Sequence, residues 1–458
     1  MPPFVVEFAY VVSGFLFVLG LKRLSSPVTA PKGNAMAAGA MLLAVVATLL
    51  DQQIISYGTL AAGLVAGTVI GALLARLVQM TAMPQLVAIF NGFGGGASAL
   101  VAAAELLREG GANPGAAEAA AAAIGILVGT VTFSGSAVAF GKLQDLVTQR
   151  PVTFPLQKVL SGLVFLALLA GAVMMALGEV GPEMLMAMGG LAFLLGILLV
   201  IPIGGADMPV VVSLLNSYSG LAASAAGFVL GNPLLILAGA LVGAAGLILT
   251  QLMCRAMNRS LANVAFGAFG GGAAVAAGDD GERVVRRTGA EEVAMLLGYA
   301  SRVVIVPGYG LAVAQAQHEV KKLTSLLSDR GVDVVFAIHP VAGRMPGHMN
   351  VLLAEADVSY ERLLDLDDAN GAMDRTDVAV VVGANDVVNP EARRPDSAIA
   401  GMPIVDVDRA KNVVVIKRSL SPGFAGIDNP LFYMDHTLMF FSDAREAISD
   451  LAREVKEL

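Results

Sequence analysis

Residues 302–313 read RVVIVPGYGLAV: a β-branched run that ends in Pro307-Gly308-Tyr309-Gly310 and passes straight into a segment predicted as a helix over 311–327. A near-continuous apolar run is what a buried parallel strand requires. A glycine turn between such a strand and a helix is the opening of a dinucleotide-binding unit. Gly308 permits the tight turn, and Gly310 lets a pyrophosphate approach the main chain. The helix N-terminus supplies N–H groups and the positive end of its dipole. Where the usual fingerprint has a third glycine, this chain has Val313. Similar runs follow at 333–338, 378–382, 404–407 and 413–416, separated by helical segments. That alternation predicts a doubly wound, Rossmann-like α/β domain over 291–458.

The ends of these runs carry the chemistry. The second ends Phe336-Ala-Ile-His339-Pro340, with no carboxylate where an NAD-binding fold presents one to the ribose 2′-hydroxyl. The run at 413–416 instead delivers Lys417, Arg418 and Ser419, two cations and a hydroxyl suited to a 2′-phosphate. NADP(H) is therefore favoured over NAD(H), against the competing reading of a solvated strand end. The run at 378–382 leads into Gly383-Ala384-Asn385-Asp386. Asp386 by itself reads as a helix cap, and beside a nicotinamide as a sensor of redox state or protonation. Arg344, in PVAGRMPGH (340–348), is a candidate diphosphate contact. No nucleophile elbow, phosphate loop ending in GK[ST] or metal-ligand set occurs, and the lone Cys254 excludes a disulfide framework.

The preceding sequence is of another kind. The whole chain is 56% hydrophobic and 14% charged, with mean hydropathy +0.74. Residues 1–260 are near +1 and the remainder near −9, an acidic balance that excludes nucleic acid as the main partner. Apolar segments long enough to cross a hydrocarbon core lie at 4–21, 35–50, 54–75, 83–107, 117–140, 157–177, 184–201, 208–230 and 232–253. Nine spans put Lys22, Arg23, Lys32, Arg76, Lys142, Arg150, Lys158, Arg255 and Arg259 on one side and Arg108 alone on the other. By the positive-inside rule the basic side, and with it the C-terminal domain, is cytoplasmic. The expected organisation is a membrane bundle over 1–260, a glycine-rich hinge over 261–290 and the α/β domain over 291–458.

Within the bundle lies a same-direction repeat: MPQLVAIFNGFGGGASA (83–99) and MPVVVSLLNSYSGLAAS (208–224) share Met-Pro, a Val, an Asn, an aromatic, a Gly and an Ala at equal offsets. Asn91 and Asn216 thus sit at matched depth, about 10 Å past their prolines at 1.5 Å per residue. The bland reading of each is a helix–helix hydrogen bond. The sharper one is a hydrated path, with Asp207 as the ionisable group nearest its mouth. Most glycines, such as Gly63, Gly67 and Gly71, read as helix-packing positions.

Taken together, VPGYGLAVAQAQ, IHPVAGRMPGHMNVLLAEA, VVGANDVVNP, AGMPIVDV, KRSLSPGFAGIDNPLF and IPIGGADMPVVVSLLNSYSG give a chain that resembles the β subunit of proton-translocating NAD(P) transhydrogenase along essentially its whole length. The resemblance implies direct hydride transfer between nicotinamides, coupled to proton movement that drives NADPH formation. Gly308, Tyr309, Gly310 and Arg344 would hold the NADP(H) diphosphate, with Val313 in the same turn, and Lys417, Arg418 and Ser419 the 2′-phosphate. Gly383, Ala384 and Asn385 would belong to the nucleotide site, and Asp386 would lie near the nicotinamide end and couple nucleotide state to protonation. A lid around Gly423 to Asn429, with Phe424 in it, would fold over the nucleotide and slow its release. NAD(H) would come on a partner α subunit with further membrane helices. The assembly would be a dimer of that heteromeric unit in the bacterial inner membrane. Two departures stand out: many relatives have a histidine at the Asn91 position and a tyrosine at the Phe424 position. Asn91 cannot carry a proton alone, which leaves Asn91, Asn216 and Asp207 as path candidates. The alternative reading is a membrane channel or transporter gated by NADP(H).

Overall fold

The computed structural model describes the whole chain except residues 1–2, 25, 27–28, 52–56, 109–114, 179–180, 259–260, 262–283, 346, 398 and 424. Most of the expected hinge therefore lies outside the described residues, as does Phe424. Two compact units emerge, Met1–Gly204 with Val211–Thr250, and Gly205–Val210 with Gln251–Leu458.

Among the described residues nine helices are long and apolar enough to cross a membrane: α1 (Pro3–Leu24), α2 (Ala30–Asp51), α3 (Tyr57–Leu77), α4 (Met83–Arg108), α5 (Ala116–Leu143), α6 (Gln157–Ala176), α7 (Pro182–Val200), α8 (Met208–Val229) and α9 (Pro233–Ala256). They match the nine expected spans, with α2 starting earlier than hydropathy alone suggests. The least apolar helix is the most buried: α8 has the lowest mean hydropathy, 1.2, and the largest buried share, 61%. Small residues set the packing. A Cβ on Gly95 would come 2.7 Å from the carbonyl oxygen of Gly129, so α4 and α5 touch backbone to backbone. Gly220 of α8 and Gly239 of α9 approach as closely, and Ser217 Oγ donates to Gly243 O at 2.6 Å. On α3 the glycine stripe meets no described residue: among the described residues no atom lies within 4 Å of a Cβ built on Gly63, Gly67 or Gly71.

Lys142, one of the basic residues expected on the same side of the bundle, is set apart by its burial. It is fully buried at the end of α5, where its ammonium donates to the carbonyl oxygens of Ile201 (2.6 Å), Ile203 (2.7 Å) and Arg150 (3.4 Å). Three donors meet three acceptors, so the charge is solvated by main chain alone.

The C-terminal unit is built on a seven-stranded, wholly parallel sheet. Its strands are β1 (Arg286–Arg287), β2 (Arg302–Pro307), β3 (Asp333–Ala337), β4 (Leu363–Leu364), β5 (Val378–Val382), β6 (Asn412–Lys417) and β7 (Thr437–Phe441), in spatial order 1-7-6-5-2-3-4. Helices α10 (Ala290–Gly298), α11 (Tyr309–Val313), α12 (Gln317–Asp329), α13 (His348–Glu355), α14 (Leu366–Met373) and α15 (Ala444–Glu457) complete it. Alternate residues of β2 feed the two cores: Val303 and Ile305 pack with Leu323 and Leu451, Val304 and Val306 with Met373 and Phe432. Strand β2 pairs with β3 on one side and β5 on the other, so the chain order reverses there. In such sheets a ligand crevice opens outside the carboxyl ends at that point.

Three local expectations are corrected. Residues 404–407 form no strand. Val405 and Val407 are fully buried in an irregular segment, held by Val405 N–H to Val387 O and by Asn370, whose amide donates to Ile404 O and accepts from Asp406 N–H. Apolar content reported burial there, not pairing. The strand next to β6 is instead β7, which the apolar runs did not reveal. Finally, the helix expected over 311–327 is broken. Gln315 takes a left-handed φ of 52°, with Ala316 N–H bonded to Leu311 O and Gln315 N–H to Ala312 O. That is a Schellman stop without glycine.

Candidate functional site

Two loops meet at the switch point. Gly308 N–H donates to Val382 O and Gly310 N–H to Gly383 O, both at 2.9 Å. Gly383 has φ of 64°, where side chains are disfavoured. A Cβ on Gly310 would come 2.6 Å from Gly383 Cα, and one on Gly308 2.5 Å from Ala384 Cα. Glycine is thus demanded by the neighbouring strand's loop, a reason that the turn motif alone did not contain.

A cleft opens beside this contact, lined by Gly308, Tyr309, Gly310, Val313, Gly383, Ala384, Asn385, Asp386, Lys417, Arg418, Ser419 and Gly423. Nearly every residue expected around a dinucleotide is therefore gathered at one sheet edge. The Asp386 carboxylate accepts Ala425 N–H at 3.0 Å, and a Cβ on Gly423 would lie 2.7 Å from its Cγ. This pins the described residues of the 418–429 segment over the loop that follows β5. That segment is anchored at its far end by amides: Asn429 donates to Asn385 Oδ1 (3.0 Å) and Asn389 to Asp428 O (3.0 Å). Asn385 Nδ2 has no partner among the described residues, leaving a buried donor on a residue of the cleft wall.

Lys417 Nζ donates to Ser421 O and lies 5.1 Å from the Phe432 ring centroid. Burial lowers its pKa, while Asp386 and Asp428 pull the other way. Arg418 and Ser419 are exposed, and Ser419 Oγ bonds Ser421 Oγ at 2.9 Å. Arg344 stands apart. Its guanidinium carbon lies 4.5 Å from the Tyr309 ring centroid, and its neighbour Gly343, not Arg344, lines the cleft. His339 is 1% exposed, with Nε2–H donating to Pro403 O at 2.8 Å. Burial pushes its pKa down to about 4 despite that bond.

Sequence reasoning missed Ser421, and the Ser442–Ala444 turn after β7, where Asp443 caps α15 by accepting Arg445 N–H. The signal existed: an Asp before an amphipathic helix is an N-cap pattern. It is hidden as long as β7 before it goes unrecognised.

In the bundle, Asn91 is buried and donates to Val212 O of α8 at 3.1 Å, while Ser219 Oγ donates to Asn91 O at 2.8 Å. The repeated segments therefore contact each other through Asn91. Each follows a short 3₁₀ turn, Met80–Ala82 and Gly205–Asp207, the second of which contains Asp207. Asn216 is half-buried.

A family model described as NAD(P) transhydrogenase beta subunit matches residues 6–454. The chain belongs to this family. Two curated relatives from Rhodospirillum rubrum, one of them from a defined strain, are each named NAD(P) transhydrogenase subunit beta. Each is 49% identical over 454 residues, covering 97% of this chain and 98% of the relative. Membership brings nicotinamide nucleotides as the substrates and an α subunit as the counterpart of a β subunit. With nine candidate spans among the described residues, the family member is a multi-pass membrane protein.

Proposed function

We propose that this chain is the NADP(H)-binding, proton-translocating subunit of a membrane transhydrogenase. In this reading residues 1–260 carry the proton path and 291–458 bind NADP(H), and the hinge expected over 261–290 ends before β1 (Arg286–Arg287), which pairs with β7. The C-terminal domain is in the cytoplasm at the bacterial inner membrane. NAD(H) arrives on the partner α subunit, and two such heteromers pair. The observation that carries the reading is the meeting of Lys417, Arg418 and Ser419 with the glycine turn at one switch point. A 2′-phosphate suits two cations and a hydroxyl, and the close glycine contacts keep side chains out of the path of a diphosphate. The unspent Asn385 donor supports the same fit.

The bound nucleotide supplies a hydride donor or acceptor carbon, so no general acid or base is needed for that step. The protein's own groups bind and orient. Lys417 and Arg418 hold the phosphate edge, Arg344 supplies a guanidinium for the diphosphate, and Asn385 donates toward the nicotinamide end. Asp386, through Ala425 N–H and its contact with Gly423, holds the described residues of the lid closed. Protonation along a path including Asn91, Asn216 and Asp207 shifts the domain between an open, exchanging state and a closed, reactive one.

The test uses proteoliposomes containing this chain and its α partner, following NADPH-dependent reduction of an NAD analogue together with lumenal pH. Coupled hydride and proton movement, both lost in Lys417→Ala or Asp386→Asn, is the expected result. NADP(H) binding without hydride transfer would favour the alternative, an NADP(H)-gated transporter.

A further inference from the structure

The loop after β3 carries a buried imidazole that no step above employs. His348, the first residue of α13, is fully buried, and its Nδ1 accepts the Arg344 backbone N–H at 3.0 Å. Its own backbone N–H returns to Met345 O at 3.2 Å. Gly343 has φ of 107°, and a Cβ there would lie 2.6 Å from His348 Cβ, so the ring occupies the volume that glycine leaves open. On its other side the imidazole is tilted against Tyr309 of the glycine turn, centroids 6.5 Å apart. The same Tyr309 ring carries the Arg344 guanidinium. Arg344 is thereby gripped twice, at its main chain by His348 and at its side chain by Tyr309.

The protonation state fits that grip. Burial and the Arg344 charge push His348 down to about 4, so near neutral pH the ring is uncharged and can accept at Nδ1. The bond assigns the proton to Nε2. An imidazolium could not accept the N–H and would repel the guanidinium.

We propose that His348 is a positioning residue for nucleotide binding: through Nδ1 it fixes the turn that presents Arg344 to the diphosphate. The role rests on the NADP(H) reading above. Because the Arg344 N–H is spent on His348, the diphosphate receives only the guanidinium from this residue, and Tyr309 holds that group near the turn in advance. Side chains that lack an acceptor at the Nδ1 position release the turn, whatever their size.

The test is a fluorescence titration of NADPH into the full chain with its α partner in detergent, together with the KM for an NAD analogue. His348→Leu is expected to weaken NADPH binding about tenfold, the scale of one lost hydrogen bond, with the KM for the NAD analogue unchanged. His348→Asn, whose amide oxygen reaches the Nδ1 position, should recover to within about threefold, whereas His348→Gln should not. In an Arg344→Ala background, replacing His348 should have no further effect on NADPH affinity, as expected for a residue that acts through Arg344. Should the Leu variant not fold, the Asn and Gln variants carry the decision. Equal affinities for Asn and Gln, or additive losses with Arg344→Ala, would overturn the proposal. Failure of the unmodified protein to bind NADPH would instead overturn the nucleotide reading itself.

Discussion

Two of the glycine pairs that meet backbone to backbone among the described residues do so for different reasons. Gly95 and Gly129 join α4 to α5 in helical conformation, where alanine is conformationally at ease and only space forbids it. Gly310 and Gly383 join two loops at the carboxyl ends of β2 and β5, and Gly383 adds a left-handed φ of 64°. A helix seam is one contact among many along two rods. The loop contact is singular, and the cleft wall is built on it. In the helix seam steric need stands alone, whereas at the cleft it is joined, at Gly383, to a φ that side chains rarely adopt.

That contrast can be broken in order of effect. Gly383→Ala combines the left-handed penalty with overpacking, about 3 kcal/mol or more, and should abolish NADPH binding along with lowering Tm. Gly129→Ala should cost about 2 kcal/mol, by overpacking alone, and leave NADPH affinity of the folded fraction unchanged. Equal losses of affinity in the two variants would erase the distinction.

Acid tests the loops from another direction. His339 and His348 have folded pKa values of about 4, below the ordinary 6.5. The unfolded chain thus binds more protons between those values, so stability is full above about pH 6.5 and falls as pH drops toward 4. Each histidine contributes up to about 3 kcal/mol to that fall. Thermal unfolding of the full chain at pH 7.5 and 5 should show it, and His339→Gln should flatten the dependence. A slope untouched by that substitution would move the cause elsewhere.

Lys417→Met should weaken NADPH about 10- to 100-fold, as for hydrogen bonds to charged groups, while leaving NADH titration unaffected. A parallel loss for both nucleotides would remove the 2′-phosphate assignment. Smallest is Asn91→Ala, which deletes one interhelical bond to Val212 O. Such bonds average about 0.6 kcal/mol in membranes, visible as a slight shift in Tm. Loss of proton movement far beyond that shift would put Asn91 on the path.

The spans were legible because an uncharged apolar run of that length suits a hydrocarbon core and little else. Strands β2, β3, β5 and β6 were legible because buried parallel strands are continuous apolar runs. Residues 404–407 carry the same signal for a different reason, burial of an irregular segment fastened by Asn370. Propensity could not foresee the stop at Gln315, since its Schellman bonds rely on main-chain geometry with no glycine to announce it. The cleft residues were legible through strand ends. The clamp on Arg344 was not, because it joins His348, four residues on, to Tyr309 from a different strand end.

Lys142 has a consequence for biosynthesis. Two of the carbonyls that solvate its ammonium lie 59 and 61 residues further along the chain. At about 5–20 residues per second, the ribosome delivers them about 3–12 s after the lysine itself. Until then the charge has at most the Arg150 carbonyl and must keep its water, because a bare buried ammonium is prohibitively costly. The end of α5 is thus completed by a part of the chain made later. A nascent chain halted before residue 201 leaves that charge unhoused.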